Sequence, residues 1–296
     1  MWDGEAAPVD VARRAEQAGY STLLFPDHTG MLAPLPAMAA AAAVTQRIRL
    51  GSQVINVAMR PLGVLAQEVA AIDVISGGRL EVGIGAGWAE SELRSIGMPF
   101  PPVRERVAAV GRTVEQLRRL FDGESISEEP GPGQLFEYEL NPLPPQAGRV
   151  PMLVGGNGNS ILRTAAEHAD IVQFTGFTAA PTLDHRYFSM HGLASRVRHV
   201  RDAAGERFDQ LELSILAQRA GTVGDPEEAV TELRSVSSGA LTAKEALSSP
   251  FVLLGDTGEI VEKLLQLRES LGISYITIFD ATAERFEAVM ARLAGC

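Results

Sequence analysis

The sequence predicts a parallel α/β fold in which strand and helix alternate along the chain. Short apolar runs, bounded by glycine, proline and polar residues, read as strands covered on both faces. Between them lie longer segments whose apolar residues recur every three or four positions, the period of an amphipathic helix. Ala18-Gly19-Tyr20-Ser21 ahead of one strand is echoed by Leu271-Gly272-Ile273-Ser274 ahead of another. At 296 residues, 46% of them hydrophobic, the chain can bury a substantial core, and α/β barrels of this length are commonly one domain. Residues 1–296 are expected to form that single domain.

Pro8 to Ala18 fits a first helix, with proline near its start and Gly19 just past its end. Ser21–Phe25 is a strand ended by Pro26-Asp27-His28. Pro36–Thr45 is an alanine-rich helix and Arg49–Ile55 a second strand. Leu62, Leu65, Val69 and Ile72 mark a third helix, followed by the strand Leu80–Gly85. Val103 through Phe121 repeats on the helical period. Residues 123–149 break the rhythm, and their proline, glycine and alternating Leu135-Phe136-Glu137-Tyr138 suggest an inserted hairpin. Met152–Val154, Ile171–Phe174, Leu211–Ala217 and Tyr275–Phe279 are further strands. Helices are expected over Ser160–His168, Asp184–Ala204, Pro226–Val236 and Asp256–Leu271, the last with Asp256 and Glu259 as a capping box and Gly272 as its stop. That makes seven strands, and Met1 to Ala7 is a poor eighth.

Composition narrows the function. No apolar run reaches the roughly 18 residues that span a bilayer, and Met-Trp-Asp-Gly-Glu-Ala lacks the regions of a signal peptide. Cys296 is the only cysteine, so neither a disulfide nor a cysteine-based metal cluster is expected, and the cytoplasm is the default. A net charge of −11 argues against nucleic acid and anionic membrane as partners. Only two of the 26 basic residues are lysine, a bias expected of high-GC coding.

Three motifs carry candidate chemistry. In Ile75 to Trp88, Leu80, Val82 and Ile84 face one way while Gly83, Gly85 and Gly87 leave the other face bare. Such a face suits either a barrel corner against a bulky neighbour or a flat cofactor at Gly85, Ala86, Gly87 and Trp88. A dinucleotide fingerprint is disfavoured, because Trp88 and Glu90 stand where it needs glycine. Asp27-His28 follows a strand, where imidazole can move a proton and a carboxylate can orient it; a hydrogen-bonded loop histidine fits the pattern too. The other histidines read as helix-surface residues, and no metal site is expected. Gly155-Gly156-Asn157-Gly158 joins a strand to a helix, as a plain turn or as a phosphate cradle of backbone N–H groups.

With these residues in place, the chain resembles the luciferase-like monooxygenase superfamily, particularly its coenzyme F420-dependent oxidoreductases. The likeness rests on Gly19 to His28, Leu50-Gly51-Ser52-Gln53-Val54, Ser76-Gly77-Gly78-Arg79-Leu80 through Gly87-Trp88, Leu153 to Gly158, Ala169 to Val172 and Ser249 to Gly255. It implies a (β/α)8 TIM barrel with insertions, a homodimer, and a flavin or deazaflavin at the C-terminal ends of the strands. The departure is at the start, where the resemblance implies a strand before the Pro8–Ala18 helix. Met1 to Ala7 is not expected to supply it, so that either the true start lies upstream or the barrel closes some other way. The resemblance implies that His28 is the acid/base with Asp27 as its orienter, and that Gln53-Val54 forms a cis-peptide bulge behind the cofactor ring. It also implies that Gly155–Gly158 and Thr175-Gly176 take the cofactor phosphate. Trp88 occupies the position of a glutamate acid/base in the sugar-phosphate dehydrogenases, so that reaction is disfavoured, and Glu90 and Glu92 are the available substitutes. Ser76–Arg79 lies at the opposite barrel face, where Arg79 is expected to pair with a carboxylate such as Asp73. The expected function is hydride transfer between F420 and a small organic substrate. The alternatives are an FMN-dependent monooxygenase using reduced flavin and O2, and a weakly catalytic flavin- or deazaflavin-binding barrel.

Overall fold

The computed structural model describes residues 1, 6–128, 134–176, 185–231 and 242–294. Two compact units divide it, residues 1–154 with 167–170 and residues 155–166 with 171–296.

The first unit opens with α1 (Pro8–Gln17), β1 (Thr22–Phe25) and α2 (Pro34–Val44), both helices starting on proline. The anticipated second strand divides into β2 (Arg49–Ser52) and β3 (Ile55–Asn56) around a cis Gln53-Val54 peptide. Next come α3 (Leu62–Ser76), β4 (Leu80–Gly85), α4 (Glu90–Ser95), α5 (Val103–Phe121) and β5 (Met152–Gly156), whose last two residues belong to the second unit. β1 pairs with β2, β2 and β3 with β4, and β4 with β5, all parallel, so their C-terminal ends share an edge. All six β4 residues are buried. Within residues 123–149, where a hairpin is expected, Ile126 and Tyr138 form an isolated antiparallel bridge with backbone hydrogen bonds of 3.0 Å, and residues 129–133 between them lie outside the described residues.

Two side chains secure the edge opposite those C-terminal ends. The Glu16 carboxylate accepts the backbone N–H groups of Gln46, Arg47 and Ile48 at 2.9, 2.6 and 3.0 Å, which holds its pKa down at about 2. Arg79 does not pair with Asp73. Its guanidinium donates to the carbonyls of Ser76, Ile48, Ala42 and Thr45 and to the Thr45 hydroxyl. The last carbonyls of α2 have no partner within their helix, and Arg79 has enough N–H groups to satisfy several of them. Asp73, fully buried, instead accepts from Leu80 N and from both the backbone and side-chain nitrogens of Gln146.

The second unit takes the chain through α6 (Asn159–His168), β6 (Ile171–Thr175), α7 (His185–Phe188), α8 (Met190–Ala204) and β7 (Glu212–Leu216). It continues with β8 (Arg219–Thr222), α9 (Pro226–Ala229), α10 (Ala243–Ser248), β9 (Val252–Gly255), α11 (Thr257–Leu271), β10 (Ile273–Thr277) and α12 (Glu287–Leu293). β6, β7 and β10 pair in parallel. The Asp256–Glu259 capping box and the left-handed Gly272 bound α11 as expected. The expected helix over 184–204 is broken at Ser189, whose hydroxyl caps α8. The later part of the helix expected over Pro226–Val236 lies outside the described residues. The sequence pattern missed the parallel β8–β9 pair, because Arg219, Gly221 and Thr222 interrupt any apolar run. Among the described residues no helix is long and apolar enough to cross a membrane.

Candidate functional site

In the first unit the glycines of β4 have a definite neighbour. A Cβ on Gly83 would collide with the Ser52 carbonyl, and one on Gly85 with the Val54 side chain. The bare face of β4 is therefore filled by the Ser52–Val54 kink, and the glycines are what allow it to lie there. Gly87, at φ +64°, has the Asn56 amide where its Cβ would be. Gln53, Val54, Gly85, Ala86 and Gly87 are thus brought together.

Asp27 and His28, adjacent in sequence, have separate partners. Arg60 binds the Asp27 carboxylate with both Nη atoms, at 2.6 and 3.2 Å, and Asn56 N donates to it at 3.1 Å. Asp27 ties the end of β1 to the segment after β3. His28 Nδ1 instead meets Glu92 Oε1 at 2.8 Å, and Trp88 sets its ring edge-to-face against the imidazole, 6.3 Å between centroids at 73°. The expected Asp27 orienter is replaced by Glu92, because two Arg60 N–H groups and a backbone N–H already claim Asp27. An ionised carboxylate only accepts, so the neutral ring donates from Nδ1 and presents Nε2 as a base. Glu92 lies 64 residues from His28 and reaches it because α4 follows the β4 exit loop. Arg106 fixes that loop, donating to the carbonyls of Ala86, Gly87 and Pro101 while stacking on Phe100, 4.1 Å from the ring centre. Neither partner is dry, with side-chain exposures of 38% for His28 and 22% for Glu92.

In the second unit, Gly155–Gly158 leads straight into α6, as the sequence implies. The glycines differ in role. A Cβ on Gly156 would lie 2.6 Å from Ile161 Cγ2, whereas Gly158 faces open space. Neither has a positive φ. Gly176 is a packing glycine, its missing Cβ replaced by Phe188 and Phe251 at 2.8 and 2.9 Å. Asn157 Nδ2 donates to Thr175 Oγ1 at 2.8 Å, joining the loop after β5 to the end of β6. Arg196 of α8 completes this cluster, donating to Asn157 Oδ1 and to the Thr175 carbonyl, the latter at 3.0 Å. Sequence reasoning missed Arg196, which sits unremarked among the other polar residues of an amphipathic helix. Glu92 had a signal, an acidic residue just after the glycine loop.

The family model described as Luciferase-like monooxygenase matches residues 6–237. An F420-dependent glucose-6-phosphate dehydrogenase of Nakamurella multipartita is 28% identical over 242 residues, covering 78% of this chain and 68% of that protein. Alignments with two further dehydrogenases of that name span 48% and 51% of their lengths. The coenzyme F420 dependent tetrahydromethanopterin reductase of Methanopyrus kandleri superposes with a TM-score of 0.78 at 17% identity, over 99% of this chain and 97% of that one. The oxygenating constituent of 3,6-diketocamphane monooxygenase from Pseudomonas putida, in complex with FMN, gives a TM-score of 0.71 at 16% identity, over 95% and 90%.

Proposed function

Because the chain belongs to the luciferase-like monooxygenase family, whose fold it shares, we propose that this enzyme moves hydride between coenzyme F420 and a small organic substrate. The observation that carries the reading is the His28–Glu92 pair at the C-terminal edge of β1 and β4. Removing hydride from a carbinol carbon makes its hydroxyl acidic, so a base must take the O–H proton as the C–H bond breaks; carbonyl reduction runs the same transfers backwards. His28 Nε2 takes or returns that proton, and Glu92 holds the ring by Nδ1 and favours the imidazolium that forms. Trp88 stands edge-to-face beside the imidazole.

When bound, the deazaflavin supplies the hydride acceptor or donor. Each unit, taken by itself, has groups that suit a part of such a cofactor. In the first unit the kink at Gln53-Val54, seated on Gly83 and Gly85, offers a backbone wall at the strand ends. In the second, the open Gly158, the first turn of α6 and the Asn157–Thr175 pair offer N–H and hydroxyl groups to a phosphate. Similarity to F420-dependent dehydrogenases supports F420 over FMN. The FMN-complexed monooxygenase of like fold supports the competing reading, reduced flavin with O2. The test is anaerobic reoxidation of reduced F420 with a panel of aldehydes, ketones and enones. Acceptor-dependent reoxidation is expected. Oxygen consumption with reduced FMN, and no turnover of F420, would transfer the assignment to the monooxygenase.

A further inference from the structure

Arg196 is 4% exposed. Besides Asn157 Oδ1 and the Thr175 carbonyl, its guanidinium donates to the carbonyls of Tyr187 at 2.5 Å and Gly192 at 3.3 Å. The rings of Phe174, Tyr187 and Phe251 surround it, their centres 5.4 to 5.6 Å from Cζ. Among the described residues it meets no carboxylate. Burial of this cation, opposed in part by Tyr187, pulls its pKa down to about 10.

Among the described residues this buried cation meets only neutral dipoles and ring faces, which is costly, and a purely structural staple would do as well with an uncharged donor. Its position gives the charge a use. Asn157 belongs to the loop Gly155–Gly158, and Thr175 stands at the end of β6. Arg196 fixes the Asn157 amide with its oxygen inward, which leaves Nδ2 to donate to Thr175 Oγ1. One guanidinium therefore sets the relative placement of both segments and puts a positive charge directly behind them.

We propose that Arg196 is a positioning residue for an anionic phosphate ester, holding Asn157 and Thr175 in a binding arrangement and adding the charge that selects phosphorylated over phosphate-free ligands. The proposal rests on the cofactor reading above and deepens it. It does not require Arg196 to touch the ligand.

The experiment compares matched ligands, F420 against its phosphate-free deazaflavin chromophore and FMN against riboflavin, by fluorescence titration of the wild type, Arg196→Gln and Asn157→Asp. The wild type is expected to prefer the phosphorylated member of at least one pair by about tenfold or more, the worth of a charge-assisted contact. Arg196→Gln is expected to lose most of that preference while its affinity for the phosphate-free member changes by less than about threefold, within the range of a neutral hydrogen bond. Asn157→Asp gives the guanidinium a counterion, so it folds and loses the preference too. Retention of the full preference in both variants would overturn the role of Arg196 and leave the phosphate loop standing. Equal loss of affinity for both members of a pair would make Arg196 a structural staple. A wild type without any preference would remove the phosphate loop itself.

Discussion

Glu92 is the residue whose removal most sharply separates the observed His28 pairing from the Asp27–His28 couple that the sequence suggests. Its carboxylate accepts from His28 Nδ1 at 2.8 Å, and both side chains are partly solvated. At that distance an unscreened buried pair would be worth several kcal/mol, but solvent screening reduces the share to about 1–2 kcal/mol. If the same energy stabilises the protonated ring in the transition state, Glu92→Gln should lower kcat by about 5- to 30-fold. The amide oxygen introduced by Glu92→Gln could still accept from Nδ1–H, so the variant isolates the charge. Glu92→Ala loses the acceptor as well and should be the slower of the two. The assay is kcat with reduced F420, together with long-range ¹⁵N correlation of the His28 ring in the cofactor-free protein. The wild type and Glu92→Gln should hold the Nδ1–H tautomer, and Glu92→Ala should shift toward the Nε2–H form. Unchanged turnover and an unchanged tautomer in Glu92→Ala would refute the reasoning. Glu92→Ala loss shared by Asp27→Asn, with the ring tautomer following Asp27, would restore Asp27 as orienter.

Two further outcomes follow from the packing and the charges. Gly156→Val should lower Tm, because its side chain must displace Ile161, whereas Gly158→Val should leave Tm nearly unchanged and weaken F420 binding by roughly one to two decades; normal binding by a stable Gly158→Val protein would make the loop a plain turn. Glu16 has a folded pKa of about 2 against 4.5 in the unfolded chain. Its stabilisation is complete above the unfolded value and is lost as pH falls through the folded one. The Tm gap between wild type and Glu16→Gln should therefore be constant above about pH 5 and narrow steadily below it, and a gap independent of pH would contradict the assigned hydrogen bonds.

Much of the fold was legible because its signals are local. Apolar runs placed the strands from β1 onward, the last of them two residues late at Tyr275–Phe279 against the observed Ile273–Thr277, and Gly272 and the Asp256–Glu259 box marked the ends of α11 by their own conformational preferences. β8 escaped because it interrupts its apolar residues with Arg219 and Gly221, the latter at φ +125°, and β9, though an apolar run, was read only as part of the family likeness. The bare face of β4 was visible, but sequence could not say that the kinked neighbour at Ser52–Val54 fills it. The candidate site was legible residue by residue and illegible in its pairings. Asp27 beside His28 suggested a couple, yet an ion pair with Arg60 and a hydrogen bond across 64 residues to Glu92 decide the matter. Arg79 and Arg196 likewise satisfy backbone carbonyls and an amide, partners that leave no trace in residue type.

The central claim is that this enzyme uses F420, and direct binding measures it. Purified protein is titrated side by side with F420 and FMN, with His28→Ala as a companion. The account predicts tighter binding of F420 than of FMN. It also predicts that His28→Ala binds F420 nearly as well while turnover falls by about 10²–10⁴-fold. Tight binding of FMN with no binding of F420 would contradict it.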